Sequence, residues 1–367
     1  MLTNRHWKRF DRTLLGLTLT LSMIGVVAIY SANMQSDLIF VRELYIKQVY
    51  WILISIVAMS FAATIDYAFI ERMAFPLYIL GVGLLILVTF IGKVGGGSQR
   101  WLSLGWIDFQ PSEIMKVILV IILARVFNDI KKRDPINAFD LIRPIGFLVV
   151  PFFLVAQQPD LGTAIIYVVI FIGLVGFVRV QTKLMSFLSI FLLAVTPLTW
   201  FLLKPYQKDR IIGLLNPEED PMGRGYHIIQ SKIAIGSGGM WGKGIFEGTQ
   251  SKLNFLPAKH TDFIFSVYAE EVGFIGAIVL ISLFCSMALR FQNIIKYSED
   301  KFACLVVVGL GAMIIFNFVY NIGMALGLLP IVGIPLPFMS YGGSALITNF
   351  ICIGLAINVS IGRKRLV

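Results

Sequence analysis

The chain has 367 residues, of which 57% are hydrophobic and 14% charged, and its mean hydropathy is +0.82. A soluble domain is nearer half apolar and a quarter charged, so these values exclude an ordinary soluble enzyme and indicate an integral membrane protein. The net charge of +10 would also fit a nucleic-acid-binding protein, but the positions of the basic residues explain it without nucleic acid.

Ten apolar runs divide the chain, and a helix of about 20 apolar residues crosses the hydrocarbon core of a bilayer. We therefore predict an all-α, polytopic membrane protein of about ten transmembrane helices, in one membrane domain over residues 1–367. The predicted spans are 14–33, 46–65, 74–92, 112–128, 142–157, 162–178, 184–204, 262–289, 302–328 and 340–361. The first run follows a basic segment, as in a signal peptide, but it is long enough to span and we expect it to be uncleaved.

Lysine and arginine are concentrated in alternate loops, which sets the predicted orientation. With the N-terminus inside, seventeen of these residues lie in inside segments and four in the short outside loops. Both termini are then cytoplasmic, and residues 205–260 form one large extracytoplasmic loop. Aromatic residues and apolar pairs in this loop argue against a disordered linker, and residues 226–235 are predicted to form a short surface helix that ends at Gly236.

Several motifs of soluble enzymes are absent from the sequence. It contains no GxxxxGK[ST] phosphate loop, no HExxH zinc motif and no Asp-x-Asp pair of the kind that holds a nucleotide-sugar metal. The three cysteines form no CxxC pair and lie in or beside apolar runs, so neither a disulfide framework nor a zinc site is predicted. These absences argue against ATPases, metalloproteases and nucleotide-dependent transferases.

Polar residues collect at the outer ends of the predicted spans. Because such residues are costly in lipid, they usually face an internal cavity. The four clusters are 95–101 together with 109–116, then 157–160, then 259–262 followed by 270–271, and finally 335–344. Their common side predicts an extracytoplasmic site with apolar walls.

One basic–acidic pair in these clusters suggests an anion site. Glu113 and Lys116 are three residues apart and would share one face of a helix. They predict either a structural ion pair or a site in which Lys116 meets an anionic ligand and Glu113 orients it. Arg100 and Arg210 would extend such a site, although each also fits an ordinary surface cation.

Asp262 opens the eighth predicted span. An aspartate at this position can cap the helix, but Thr261 can cap equally well, and Asp262 would then be free at the mouth of the cavity. Glu270 and Glu271 lie about two turns deeper, at roughly 80° and 180° from Asp262 around the helix. They cannot both share its face, and we expect one of them to pair structurally with another span.

At these clusters the sequence resembles the SEDS family (shape, elongation, division, sporulation). The matching stretches run along nearly the whole chain and are 109–113, 158–163, 225–239, 256–257, 260–265, 335–337 and 340–344. Within the family, residues 225–232 and 248–251 favour the branch that serves cell elongation over the branch that serves division. Ala258 departs from the acidic residue that the family usually has before its basic one.

The resemblance implies a ten-helix fold and a peptidoglycan glycosyltransferase that polymerises lipid II during cell elongation and rod-shape maintenance, in the inner membrane of a bacterium. It implies that Asp262 matches the essential aspartate of the family. It also implies a class B penicillin-binding transpeptidase as partner, with other elongation-complex membrane proteins and no nucleic acid. The candidate substrate-binding residues are Glu113, Lys116, Arg100, Arg210, Asp160, Gln158, Lys232 and Ser340.

On this interpretation Asp262 is the general base for the acceptor sugar hydroxyl, and Lys116, Arg210 or a divalent cation (Mg²⁺ or Mn²⁺) neutralises the departing pyrophosphate. A metal held by one or two carboxylates and pyrophosphate leaves no sequence motif, so the sequence leaves this choice open. Two alternatives remain. A lipid II flippase predicts polar residues spread to the inner side, and a non-catalytic scaffold gives no reason for charged residues around a cavity. The outer clustering favours the enzyme.

Overall fold

The predicted all-α membrane architecture is confirmed by a computed structural model of the chain, in which helices dominate. The structure describes residues 10–34, 39–95, 98–103, 105, 108–130, 136–178, 180–181, 184, 186, 200–201, 203–253 and 255–362. Among these residues, seven helices are long and apolar enough to cross a membrane. In chain order the elements are α1 Arg12–Asn33, α2 Ile39–Arg42, α3 Leu44–Thr64, α4 Tyr67–Ile91, β1 Lys93–Gly95, β2 Ser98–Ser103, β3 Asp108–Phe109, α5 Pro111–Asp129, α6 Ala138–Gln157, α7 Leu161–Phe177, α8 Pro205–Leu215, α9 Tyr226–Ser237, α10 Thr249–Lys252, α11 Ile264–Lys296, α12 Lys301–Ala325 and α13 Gly343–Ile361.

Nine of the predicted spans correspond to the helices α1, α3 to α7 and α11 to α13, with shifted ends. Helix α4 begins at Tyr67 rather than at 74, because the Asp66 carboxylate accepts the Ala68 N–H and Pro76 is accommodated inside the helix. Helix α11 continues to Lys296 instead of ending at 289. The remaining predicted span, 184–204, lies mostly outside the described residues, as do Arg363, Lys364 and Arg365 of the predicted inside segments.

Helix α5 lies at the centre of the bundle, and nearly all of its residues are buried. It packs against α4, α6, α7, α12 and α13. A helix surrounded in this way needs apolar residues on all sides, and the run Val117–Leu123 provides them. The outermost helices instead expose large apolar side chains, such as Phe90 on α4 and Phe139 on α6, as expected for surfaces that face lipid.

A small antiparallel sheet lies between α4 and α5, where no strand was predicted. Strand β2 pairs with β1 at Val94↔Gln99 and with β3 at Leu102↔Phe109. The Gln99 side chain donates to the Gly92 carbonyl at 2.7 Å and so ties the sheet to the end of α4. The glycine run that begins at Gly95 is a hairpin signal that would have supported this prediction.

Helix α11 is broken at Gly273, whose backbone has φ 71° and ψ −165°. The break leaves backbone groups of α11 without partners inside the helix, and the large loop supplies them. The Gly244 N–H donates to the Glu271 carbonyl at 3.0 Å, and the Phe274 N–H donates to the Gly239 carbonyl at 2.9 Å. The loop is therefore fastened to α11 on both sides of the break.

Helix ends that were predicted to share a side of the membrane contact one another. At the predicted inner side, Arg290 Nη2 lies 2.7 Å from Asp11 Oδ2, which joins α11 to the start of α1. At the predicted outer side, the Tyr341 N–H donates to the His260 carbonyl at 2.8 Å. The alternating path of the chain agrees with these contacts, whereas the choice of which side is cytoplasmic stays a prediction from the loop charges.

Candidate functional site

The four polar clusters of the sequence meet at one side of the bundle, which is the predicted outer side. The Gln110 side chain donates to Asp160 Oδ2 at 3.1 Å, and the Gln110 N–H donates to Ser344 Oγ at 3.2 Å. The Ser340 hydroxyl donates to the Thr261 carbonyl at 2.6 Å. These hydrogen bonds connect the residue after β3 with the residue before α7 and with the start of α13, and they connect the segment before α13 with the segment before α11.

One wall of this site is formed by Arg100, Gln158 and Asp160, and Arg100 makes polar contacts to the other two residues. Arg100 Nε donates to the Gln158 carbonyl at 3.1 Å, and Nη1 lies 3.6 Å from Asp160 Oδ1. Asp160 also caps α7, since its Oδ1 accepts the Thr163 N–H at 3.2 Å. The Gln158 side chain donates to the Leu85 carbonyl at 3.0 Å. These contacts hold the wall together, and substrate binding by the three residues stays a prediction.

Glu113 and Lys116 form a buried ion pair in the first two turns of α5. Lys116 Nζ lies 2.7 Å from both carboxylate oxygens of Glu113, and the two side chains are 2% and 6% exposed. Two opposite charges this deeply buried depend on one another, because either alone would be left without compensation in a poorly solvated environment. The structural alternative raised from the sequence is thus present in the structure, and anion binding by Lys116 stays a prediction.

Asp262 lies in the turn that precedes α11 and does not cap that helix. The N-cap residue is Phe263, which makes no side-chain capping bond, and the Thr261 hydroxyl donates to the Ala258 carbonyl at 3.2 Å. The carboxylate instead faces the backbone of Gly333, where an added Cβ would lie 3.7 Å from Asp262 Oδ2. Burial raises the pKa of Asp262 to about 6, and the charge of Arg210 opposes this rise.

The large loop brings Arg210 and His227 to the neighbourhood of Asp262. Besides its effect on Asp262, the Arg210 charge adds to burial in lowering the pKa of His227. The His227 ring stacks on the Phe263 ring, with 6.1 Å between centroids and 13° between planes. Lys232 takes a different position, since it packs across Gly327 just beyond the end of α12, where an added Cβ would lie 2.4 Å from its Cε. Arg210 is therefore the predicted cation that the structure connects electrostatically with Asp262.

Ser340 and Asn321 form hydrogen bonds to the backbone around Asp262. Ser340 Oγ donates to Thr261 and also accepts the Leu336 N–H at 2.8 Å. Asn321, which the sequence analysis missed, donates from Nδ2 to the Asp262 carbonyl at 2.9 Å and to the Ile334 carbonyl at 2.8 Å. An amide inside an apolar span was the available signal, because polar groups at membrane depth usually have a specific partner.

Glu270 and Glu271 both have structural partners. Glu270 Oε1 accepts Lys243 Nζ at 2.7 Å and the Thr249 N–H at 2.8 Å, so it joins α11 to the large loop. Glu271 accepts a hydrogen bond from the Ser31 hydroxyl of α1, which confirms that one of these glutamates pairs with another span. Across the described residues, no group of three or more His, Cys, Asp or Glu side chains is placed to hold a metal ion. A cation at this site would have Asp262 as its protein carboxylate.

The family model of the cell cycle proteins FtsW, RodA and SpoVE matches residues 12–365. The chain belongs to this family. This match confirms the resemblance to the SEDS proteins that the sequence motifs indicated. It also confirms that the chain is a multi-pass membrane protein of a bacterial family.

Two relatives in the FtsW/RodA/SpoVE family are similar to this chain over almost its whole length. The peptidoglycan glycosyltransferase MrdB of Escherichia coli K12 is 41% identical over 360 residues, which cover 97% of this chain and 95% of MrdB. The peptidoglycan glycosyltransferase RodA of Treponema pallidum is 31% identical over 423 residues, with 96% and 97% covered.

Two solved structures share the fold of this family member. A chain of a peptidoglycan synthase complex, studied for its coordination of polymerization and crosslinking, superposes with a TM-score of 0.81 at 31% identity and covers 96% of this chain and 98% of that chain. The rod shape determining protein RodA of Thermus thermophilus superposes with a TM-score of 0.72 at 27% identity, with 97% and 98% covered.

Proposed function

We propose that this chain is a peptidoglycan glycosyltransferase that joins lipid II disaccharide-pentapeptide units into glycan strands during cell elongation. The names of its relatives in E. coli and T. pallidum support the activity. The observation that carries the mechanism is the Asp262 carboxylate, which is partly buried, is not used as a helix cap and lies where the polar clusters meet.

Asp262 is the general base of the proposed reaction. It takes the proton from the 4-hydroxyl of the acceptor sugar while that oxygen attacks the anomeric carbon of the lipid-linked donor. The new glycosidic bond forms as the bond from the anomeric carbon to the diphosphate breaks, so the configuration inverts and polyprenyl diphosphate leaves. A well-placed base of this kind contributes about 10²–10⁴-fold in rate.

The environment of Asp262 suits this step. A carboxyl with a pKa of about 6 is largely ionised at neutral pH and is a stronger base than an exposed aspartate. Arg210, whose charge already acts on Asp262, is placed to neutralise the diphosphate charge that develops as the donor bond breaks. Lys116 is held by Glu113, so we assign it a smaller part in this neutralisation.

The remaining features follow from the same proposal. We propose that the site lies on the outer side of the inner membrane of a bacterium, with both termini cytoplasmic and 205–260 as an extracytoplasmic loop of a single membrane domain, and the loop charges support this orientation. A class B penicillin-binding transpeptidase is the proposed partner. The likeness to a chain of a peptidoglycan synthase complex supports a partner of this kind.

The test is polymer formation by the purified protein with its transpeptidase partner and labelled lipid II. Asp262→Asn keeps the size of the side chain and removes the base, so we expect polymer formation to fall by about 10² or more while the protein stays folded. Glu247→Gln, which neutralises an exposed carboxylate in the large loop, is the matched control and should keep wild-type activity. A β-lactam that blocks crosslinking should leave the polymer intact.

Two outcomes contradict the proposal in different ways. Polymer at the wild-type level from Asp262→Asn removes Asp262 as the base but leaves the activity. Lack of polymer from the wild-type complex, together with movement of labelled lipid II across proteoliposome membranes, would instead favour a flippase.

A further inference from the structure

Three consecutive carbonyl groups, those of residues 260–262, are held from outside their own segment. Each accepts a hydrogen bond from a group that is distant in sequence: Tyr341 N at 2.8 Å, Ser340 Oγ at 2.6 Å and Asn321 Nδ2 at 2.9 Å. Two residues before this segment, Ala258 has a φ of 46°, a backbone conformation that a non-glycine residue adopts only when its surroundings enforce it. The direction of the Asp262 side chain is therefore fixed by contacts to its backbone.

Among these three donors, Asn321 is distinguished by donating to two carbonyl groups. Its two Nδ2 hydrogens bridge the Asp262 carbonyl and, at 2.8 Å, the Ile334 carbonyl. The second carbonyl belongs to the segment that places Gly333 beside the Asp262 carboxylate. One side chain on helix α12 thus holds both the residue that carries the carboxylate and the backbone that the carboxylate faces.

We infer that Asn321 is a positioning residue for the glycosyl-transfer step. Through its two hydrogen bonds, Asn321 sets the distance between the Asp262 carboxylate and the 332–334 segment. This inference rests on the proposed function, because it assigns to Asn321 the placement of the proposed base. Asn321 does not touch substrate, since its side chain is 0% exposed. A displacement of about 1 Å at a reacting group can reduce a rate by about 10².

A purely stabilising role explains Asn321 less well. Its Oδ1 is buried and has no hydrogen-bond partner among the described residues, so the amide offsets part of its own contribution. One turn earlier on α12, the Asn317 side chain is 2% exposed and its Oδ1 also has no described partner. No hydrogen bond of the Asn317 side chain to residues 258–263 is seen in the described chain, so Asn317 is a matched control for a buried amide in this helix.

The test compares Asn321→Ala, Asn321→Ser and Asn317→Ala in the full complex with labelled lipid II. We expect Asn321→Ala to lower kcat by about 10- to 100-fold with little change in the KM for lipid II, because binding surfaces remain and the base is misplaced. Water that enters the loosened segment should also lower the pKa of Asp262, so the acid limb of the pH–rate profile moves to lower pH. Asn321→Ser keeps a donor and should give an intermediate kcat, and Asn317→Ala should match the wild type.

The outcomes separate this inference from the proposed function. If the wild type polymerises and Asp262→Asn does not, but Asn321→Ala keeps both its kcat per folded molecule and its acid limb, the positioning role is wrong and the proposed function stands. Equal losses in Asn321→Ala and Asn317→Ala would show a general effect of buried amides and would also overturn it. If Asn321→Ala does not fold, the kcat and the pH profile of Asn321→Ser decide, since a wild-type result there contradicts the inference.

Discussion

At the scale of single residues, the position of Asp262 is unusual for an aspartate beside a helix. Such a residue commonly accepts N–H groups of the first turn, and its pKa then falls because the charged form is hydrogen-bonded. Here the turn at Ala258 and the hydrogen bonds to the carbonyls of residues 260–262 direct the carboxylate toward Gly333. Desolvation consequently dominates, and a residue type that is ordinarily a weak base becomes suited to proton transfer near neutral pH.

The pH dependence of polymer formation tests this electrostatic environment. The base must be ionised, so the wild-type rate should rise as the pH increases through about 6. The positive charge of Arg210 favours the ionised carboxylate, and Arg210→Gln should therefore raise the pKa of Asp262 and move the acid limb to higher pH. Initial rates between about pH 5 and pH 8 measure the shift. Arg224→Gln, on the same loop and paired with Asp209 at 3.3 Å, should leave the limb in place.

The pair of Glu113 and Lys116 gives a second residue-scale prediction. Lys116→Met leaves the Glu113 carboxylate buried without its partner and should lower the free energy of unfolding by about 3–5 kcal/mol. The double variant Glu113→Gln with Lys116→Met removes both charges and should recover much of this loss, as measured by thermal unfolding in detergent. If Lys116 also binds the diphosphate, activity per folded molecule stays low in the double variant, whereas normal activity there would limit the pair to a structural role.

At the scale of elements, the break in α11 depends on one glycine. A Cβ on Gly273 would lie 2.3 Å from the Gly242 backbone nitrogen, and the residue has a φ of 71°. Gly273→Ala should therefore destabilise the protein by more than about 2 kcal/mol, since this combination of positive φ and extended ψ is essentially restricted to glycine and costs another residue about 1–3 kcal/mol before the steric clash is added. Thermal unfolding measures the effect. Gly236→Ala in α9, where an added Cβ meets nothing within 4 Å, should be neutral or slightly stabilising, and equal effects of the two variants would contradict this account.

The elements that could be predicted from the sequence are those with a local signal. Nine spans were located because hydropathy averages over a window as long as the helix itself. The break at Gly273 and the strands β1 to β3 were not predicted, because each depends on contacts between separate segments. A window average treats residues 262–289 as one apolar run and carries no information about which loop fills a gap in the helix.

The same distinction applies to the site. The spacing of Glu113 and Lys116 predicted their contact correctly, since three residues apart on a helix is a local relation. The sequence also placed four clusters on one side. It did not identify Asn321, because its role comes from hydrogen bonds to Asp262 and Ile334, which only the packed bundle brings together.

At the scale of the whole molecule, the orientation in the membrane can be tested with single cysteines. In a variant without the natural cysteines, Ser251→Cys in the large loop should react with an impermeant thiol reagent in intact cells, because the loop charges predict that residues 205–260 lie outside. Glu299→Cys, in the connection between α11 and α12, should react only after lysis. The reverse pattern would invert the topology.

The burial of α5 has a consequence for biosynthesis. This helix is not among the seven that are apolar enough to span on their own, and it carries Glu113, Lys116, Arg125 and Asp129. Each charge makes insertion into lipid less favourable, by up to about 2.5–3.5 kcal/mol for a residue at the centre of a helix and by less toward its ends. We expect the nascent helix to stay beside the insertion machinery until α4 and α6 can enclose it, so that the most central helix of the finished protein settles in the bilayer only after the helix that follows it in the chain.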